Sequence, residues 1–202
     1  MPVFEKNGRR LLYIHIPKTG GTTVEETLLA NGHRMSYRRG GRYGPLTLED
    51  RERGCSPQHM HAALLEETFD PENFDEIFAL VRHPVDRFVS QYKFLLAAGR
   101  KVPDFHTWME GVPERLRRDP FVYDNHLRPQ HEFIWTSRCR VFRLEEGLDA
   151  VFAALSEPGE KISYGGEAWI RLAHDDASAW RESARDHVKS LYFDDFVSFG
   201  YD

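Results

Sequence analysis

The segment Leu11 to Glu26, LLYIHIPKTGGTTVEE, constrains this chain more than any other. A short apolar run, Leu11 to Ile16, ends in a turn, as a buried strand does. The exit passes through Pro17, Lys18, Thr19, Gly20, Gly21, Thr22 and Thr23. A helix follows. Thr22 or Thr23 can cap it, with Glu25 or Glu26 three residues on completing a capping box, and Gly32 stops it. The unit is strand, glycine-rich turn, helix. In such a unit the helix amides and dipole favour an anion at the turn. Two glycines allow a tight backbone turn and a close approach. Lys18 adds a cation, and the threonines add hydroxyl donors. The set suits a phosphate or sulfate oxyanion.

A second unit repeats the pattern. Ile77 to Val81 is another buried strand, followed at once by Arg82, His83 and Pro84. Proline is tolerated in the first turn of a helix. Val85, Phe88, Val89 and Tyr92 then fall at i, i+3, i+4 and i+7, an inward stripe. Arg87 and Ser90 lie three apart and share a neighbouring face. Arginine forks onto phosphate, and serine adds a hydrogen bond. Two anion seats, each at a strand's carboxyl end, imply a ligand with two separated anionic groups. Surface ion pairing with Asp86 is the plainer account of the two arginines.

The rest of the chain fits the same class. Residues 57–69 read as one short helix, 139–144 as a third strand and 148–155 as a helix. Trp180, Ala184, Val188 and Leu191 suit one face of a last helix. Residues 36–54 read as a glycine- and arginine-rich loop, and 100–138 as helical pieces and loops. Strands alternating with helices predict an α/β fold around a mostly parallel sheet, with ligands at the carboxyl ends of the strands. At 202 residues, with no repeat or linker, the expectation is a single domain, 1–202.

Composition excludes several classes. A net charge of −5 lacks the basic footprint of a nucleic-acid binder. Cys55 and Cys139 are too few for a disulfide framework or a zinc site. No run approaches the ~20 apolar residues of a membrane span, and the first residues do not read as a signal peptide. The default expectation is a cytoplasmic protein. Oligomeric state is not encoded in any visible pattern.

The first turn is not a Walker A loop, in which lysine follows the glycines, nor a G-x-G-x-x-G turn. HIPKTGGTTVEE instead resembles the 5′-phosphosulfate loop of sulfotransferases, and VRHPVDRFVSQY resembles their 3′-phosphate strand and helix. The resemblance is to the carbohydrate type, which includes heparan sulfate 2-O-sulfotransferases and small bacterial members. It spans residues 11–96 and continues more weakly through DNHLRPQHEFI and the FGYD tail. It implies a P-loop-like three-layer α/β sandwich. It also implies 3′-phosphoadenosine 5′-phosphosulfate (PAPS) as co-substrate, with no metal. Lys18, Thr19, Gly20, Gly21, Thr22 and Thr23 would cradle the phosphosulfate. Arg82 and Ser90 would hold the 3′-phosphate, and Arg87 would join them or brace the loop.

Sulfuryl transfer to a hydroxyl needs a general base near the loop. CSPQHMHAALL offers His59, which the resemblance favours, and His61; Glu66 and Glu67 are outside candidates. Residues two apart on a helix do not share a face, so one of the two points inward. His126, Arg128 and Gln130 form a second polar cluster, which the resemblance places near acceptor or co-substrate. The four tryptophans read as core rather than sugar platforms. The loop RLAHDDAS departs from the family pattern: Asp175 and Asp176 stand where basic or amide residues are common, and Arg171 or His174 would have to substitute. The acceptor would be a glycan or small metabolite bearing a hydroxyl, selected by loops such as 36–54 and 100–138. Two other readings stand beside this one: a nucleotide or metabolite kinase with a divergent loop, and a non-catalytic sensor of a bis-anionic nucleotide.

Overall fold

The computed structural model describes residues 1–38, 47–164 and 177–202. The chain begins with β1 (Val3–Lys6) and β2 (Arg9–Ile14), then α1 (Gly21–Ala30), β3 (Arg34–Ser36) and α2 (Leu48–Arg53). Next come α3 (Ala62–Thr68), β4 (Glu76–Val81), α4 (Pro84–Ala97), α5 (Phe105–Glu110) and α6 (Val112–Arg118). The last elements are β5 (Cys139–Arg143), α7 (Asp149–Leu155), α8 (Ser178–Leu191) and α9 (Phe193–Phe199).

The sheet has five strands in the order β3-β1-β2-β4-β5. β2, β4 and β5 pair in parallel, with Ile14 opposite Ala79 and Val81 opposite Arg143. β1 runs antiparallel to both β2 and β3. This α/β architecture matches the expected class. β1 and β3 were not read from the sequence, yet one signal was there. Asn7 and Gly8 join β1 to β2 with φ of 50° and 81°, and Asn-Gly is the favoured pair where a two-residue hairpin turn needs positive φ twice.

Alternation along the strands sorts the two faces. Leu11, Tyr13, Phe78 and Leu80 pack with Val24 and Leu28 of α1 and with Val151, Phe152 and Leu155 of α7. Leu12, Ile14, Ile77, Ala79 and Val81 pack with Met60, Leu65 and Phe133 on the other side. The stripe Val85, Phe88, Val89 and Tyr92 is buried as its spacing requires. It belongs to a separate helical cluster that includes Trp108, Val188 and Phe196.

Two expected helix boundaries are corrected. α1 begins at Gly21 behind Gly20, with no side-chain cap, and Glu25 is buried rather than closing a capping box. The expected helix 57–69 is broken: a 3₁₀ turn covers Pro57–His59, Met60 is extended, and α3 starts after His61. The break has a cause. Asn125 donates its amide to the His59 carbonyl at 2.8 Å, which takes that carbonyl out of any continuing helix.

α9 anchors the far side of the site. Asp195 is fully buried. It accepts from the Gln130 and His131 amides at 2.8 Å and pairs with His131 Nδ1 at 2.9 Å. Removing a buried acceptor leaves each of its donors unsatisfied. Asp195→Ala is therefore expected to lower the unfolding free energy in urea by about 3 kcal/mol. Phe193→Ala, at the exposed start of the same helix, should change it by no more than about 0.5 kcal/mol.

Candidate active site

The parallel register brings the ends of β2, β4 and β5 together, and the site is built there. Lys18 takes a left-handed φ of 70° and Gly20 one of 92°. The two reverse the chain between strand and helix. The glycines answer to protein neighbours. A Cβ at Gly21 would overlap the His15 imidazole, and one at Gly20 would meet Leu144 Cδ1 at 3.0 Å. The Thr19 hydroxyl, fully buried, donates to Ile16 O at 2.8 Å, so this threonine stabilises the turn. Thr22 is half-buried and Thr23 buried. Thr23 and Val24 donate their amides to Gly20 O at 3.0 and 3.4 Å, which leaves the Gly21 and Thr22 amides at the helix N-terminus facing the turn.

Lys18 Nζ lies over the Phe94 ring, 4.3 Å from its centroid. Burial, with help from the nearby Arg82 charge, lowers its pKa to about 8. Arg82 reaches back to Lys18 O at 3.5 Å, so the two turns expected to hold separate anions touch. Gln130 fixes the Arg82 backbone at both ends: Arg82 N–H donates to Gln130 Oε1, and Gln130 Nε2 donates to Arg82 O, both at 2.9 Å. The side-chain amide thus acts as one more rung beyond the end of β4. Arg87 is buried, donating to Pro17 O at 2.9 Å and to His126 O at 3.1 Å. Its guanidinium braces the loop from inside. Ser90 is half-buried on α4.

His59 and His61 point apart. His61 sets its ring edge against Phe121 at 5.5 Å. His59 is buried and bonds Asp124 Oδ2 through Nδ1 at 2.8 Å. Asp124 is held in turn by the Ser56 amide at 2.6 Å and the Ser56 hydroxyl at 2.7 Å. This leaves Nε2 as the nitrogen available to a ligand. Burial pushes the Asp124 carboxyl up, but the bonds from His59 and Ser56 outweigh it and hold the group well below the usual carboxylate range. Burial lowers the His59 pKa, and the Asp124 carboxylate opposes it.

Asp124 was not singled out in the sequence. It sits in the quoted stretch DNHLRPQHEFI, and its signal is conformational. Tyr123, Asp124 and Asn125 have φ of 55°, 62° and 63°. Each left-handed non-glycine residue costs roughly 1–2 kcal/mol. His126, next along, bonds Gln91 Oε1 through Nδ1 at 2.7 Å. Burial, then the His59 and Lys18 charges, drives its pKa well down. Its ring is 4.9 Å from His59 and 5.2 Å from Phe94. His15 meets His59 edge to face at 5.1 Å on the other side. Arg128 bonds Asn125 Oδ1 at 3.0 Å and pairs with Glu132. It supports the turn from behind.

The tail folds onto the second turn. The His83 amide donates to Glu145 Oε1 at 2.6 Å, and the Tyr201 hydroxyl donates to Glu145 Oε2 at 3.0 Å. Arg181 of α8 pairs with Asp86 of α4. Residues 39–46 of the glycine- and arginine-rich loop, Trp169, and Arg171, His174, Asp175 and Asp176 lie outside the described residues. Among the described residues no helix is long and apolar enough to cross a membrane.

His126 joins the two halves of this region: its ring lies beside that of His59, and the Lys18 charge acts on it. A model of the sulfotransferase family matches residues 3–202. The chain belongs to the sulfotransferase family. No curated protein matches it. A crystal structure of a sulfotransferase from Alicyclobacillus acidocaldarius is similar at 19% identity and a TM-score of 0.35, over 65% of this chain. The match spans 59% of that chain. Within the family match, the Lys18 turn, the His59–Asp124 pair and the Arg82 turn are contributed by separate parts of one sequence.

The buried histidines give this sulfotransferase-family chain a pH signature. His59 and His126 have folded pKa values below their unfolded ones, so the unfolded state binds more protons as pH falls. Stability is present in full above about pH 6.5 and is lost as pH falls toward the lowered folded values. Asp124, also depressed, adds a loss at lower pH still. Urea midpoints between pH 8 and 5 should therefore decline. His126→Gln should flatten the decline.

Proposed function

We propose that the chain transfers a sulfuryl group from PAPS to a hydroxyl of a glycan or small-metabolite acceptor, as carbohydrate-type sulfotransferases do. The observation that carries this reading is the His59–Asp124 pair, oriented through Nδ1 at 2.8 Å and linked by ring contacts through His126 and Phe94 to Lys18.

The residues expected at the two ends of PAPS lie close together, Arg82 reaching Lys18 O at 3.5 Å. The first α1 amides and Lys18 suit the 5′-phosphosulfate, with Gly20, Gly21, Thr22 and Thr23 shaping the turn. Arg82 and Ser90 would hold the 3′-phosphate. Thr19 and Arg87 serve by holding the loop, since their polar atoms bond protein carbonyls. In the transfer, the acceptor hydroxyl gives its proton to His59 Nε2 as its oxygen bonds to sulfur. The bond from sulfur to the 5′-phosphate oxygen breaks, and 3′-phosphoadenosine 5′-phosphate (PAP) leaves. Asp124 stabilises the imidazolium that forms, as a carboxylate does in other histidine-based transfers. Lys18 and the amides take up the charge that grows on the leaving phosphate.

Calorimetry tests the binding half. PAP should bind at micromolar Kd, at least about tenfold more tightly than 5′-AMP, a difference of about 1.4 kcal/mol, and Arg82→Ala should abolish the preference. Tighter binding of magnesium-ATP than of PAP would overturn the reading in favour of a kinase. With an acceptor in hand, His59→Ala should keep PAP affinity and lose about 10²–10⁴ in turnover. Unchanged turnover in both His59→Ala and His61→Ala would remove the histidine base.

The lysine adds a pH test. Lys18, with a pKa of about 8 in the free chain, carries its charge below that value and loses it above. PAP affinity should therefore fall as pH rises through about 8, and Lys18→Met should weaken binding and flatten that dependence.

A further inference from the structure

A second histidine–carboxylate pair stands against the first. His15 leaves β2 and bonds Glu25 Oε1 through Nδ1 at 2.6 Å. Glu25, on α1, is 2% exposed, and its other oxygen takes Arg38 Nε at 3.0 Å. The His15 ring is stacked on buried Tyr13, 5.4 Å away. It fills the space that a side chain at Gly21 would need, and its plane lies at 89° to that of His59. One imidazole therefore touches the start of the anion helix and the ring of the base. The family match and the transfer mechanism give neither His15 nor Glu25 a task.

We propose that His15 and Glu25 are positioning residues for the base: the ring fixes His59 against the anion turn, and the buried carboxylate favours proton uptake at His59. The inference rests on reading His59 as the proton acceptor. Asp124 and His126 face His59 from the 123–126 turn, His15 from β2 and Glu25 from α1, and the Met1 α-amino group also lies near. Asp124 and Glu25 favour a proton on His59, while charge on His15 and on the Met1 amino group opposes it. Asp124 bonds His59 directly. Glu25 acts across the His15 ring, so its charge reaches His59 without competing for Nδ1. Burial pushes the Glu25 carboxyl up, but His15 and Arg38 outweigh it and keep the group ionised. Arg38 lies behind Glu25, on the side away from His15, and offsets part of its negative charge.

This arrangement makes two substitutions act in opposite directions. Glu25→Gln keeps the shape and removes the negative charge, so His59 becomes harder to protonate. Arg38→Ala removes the offsetting cation, so His59 becomes easier to protonate. A merely structural pair would not give opposite signs. The test is NMR of the full chain with isotope-labelled histidine, the His59 signal being assigned by its loss in His59→Gln. The His59 midpoint should fall by about half a unit or more in Glu25→Gln and rise by a similar amount in Arg38→Ala. Shifts of the same sign, shifts under about 0.2 units in both, or a His59 that stays neutral to pH 4 in wild type and Arg38→Ala, would overturn the proposal. If Glu25→Gln fails to fold, the sign in Arg38→Ala decides alone. PAP calorimetry on the wild-type chain separates the two readings. PAP binding without the titration shifts sinks this inference only. Shifts without PAP binding sink the transfer reading.

Discussion

The Arg87 guanidinium is the interaction on which the site depends. It is 4% exposed, and it donates to main-chain carbonyls of two different segments, Pro17 and His126. Burying such a charge is costly unless its donors are satisfied, and arginine does not escape by losing its proton. The chain meets that demand by bringing the strand exit and the histidine turn to one planar group. Helix α4 thereby sets the distance between the Lys18 turn and the 123–126 turn.

The other ties follow the same logic of one side chain joining distant segments. Gln130 closes both ends of the Arg82 peptide, and Asp195 holds the amide of Gln130. Ser56, Asp124 and Asn125 lock the 3₁₀ turn that presents His59. The ties are buried or partly buried polar contacts, so a loosened partner leaves unsatisfied atoms rather than a small loss of area. Such networks hold a site to one geometry while the three apolar clusters supply the bulk stability.

Much of this was legible in the sequence, and the limits have physical causes. The strand-turn-helix units at 11–30 and 77–97 follow from local apolar pattern and turn chemistry, which act over a few residues. The lysine turn was read from its glycines, cation and hydroxyls, and the preference for His59 over His61 from motif resemblance; in the structure His59 lies beside His15 and His126, and His61 against Phe121. Asp124 was hidden because its role comes from a contact 65 residues away in the chain. Glu25 was read as a cap because it stands at capping spacing, yet the long-range partner His15 took it. The glycines were assigned to ligand approach, while Gly21 answers first to the His15 ring. β1 escaped notice because its apolar run is short, although Asn7-Gly8 marked the turn that follows it.

The successive left-handed residues Tyr123, Asp124 and Asn125 carry a consequence beyond geometry. Their backbone strain is a debt that the surrounding contacts must cover in the folded state. A chain selected for robustness alone would relax this turn, with glycine as the natural substitute. Relaxing it would free the carboxylate that aims the imidazole. Relief of strain and the aim of the His59 imidazole are thus set against each other at the same three positions, and adaptation to a hotter niche would have to find its gains elsewhere in the molecule.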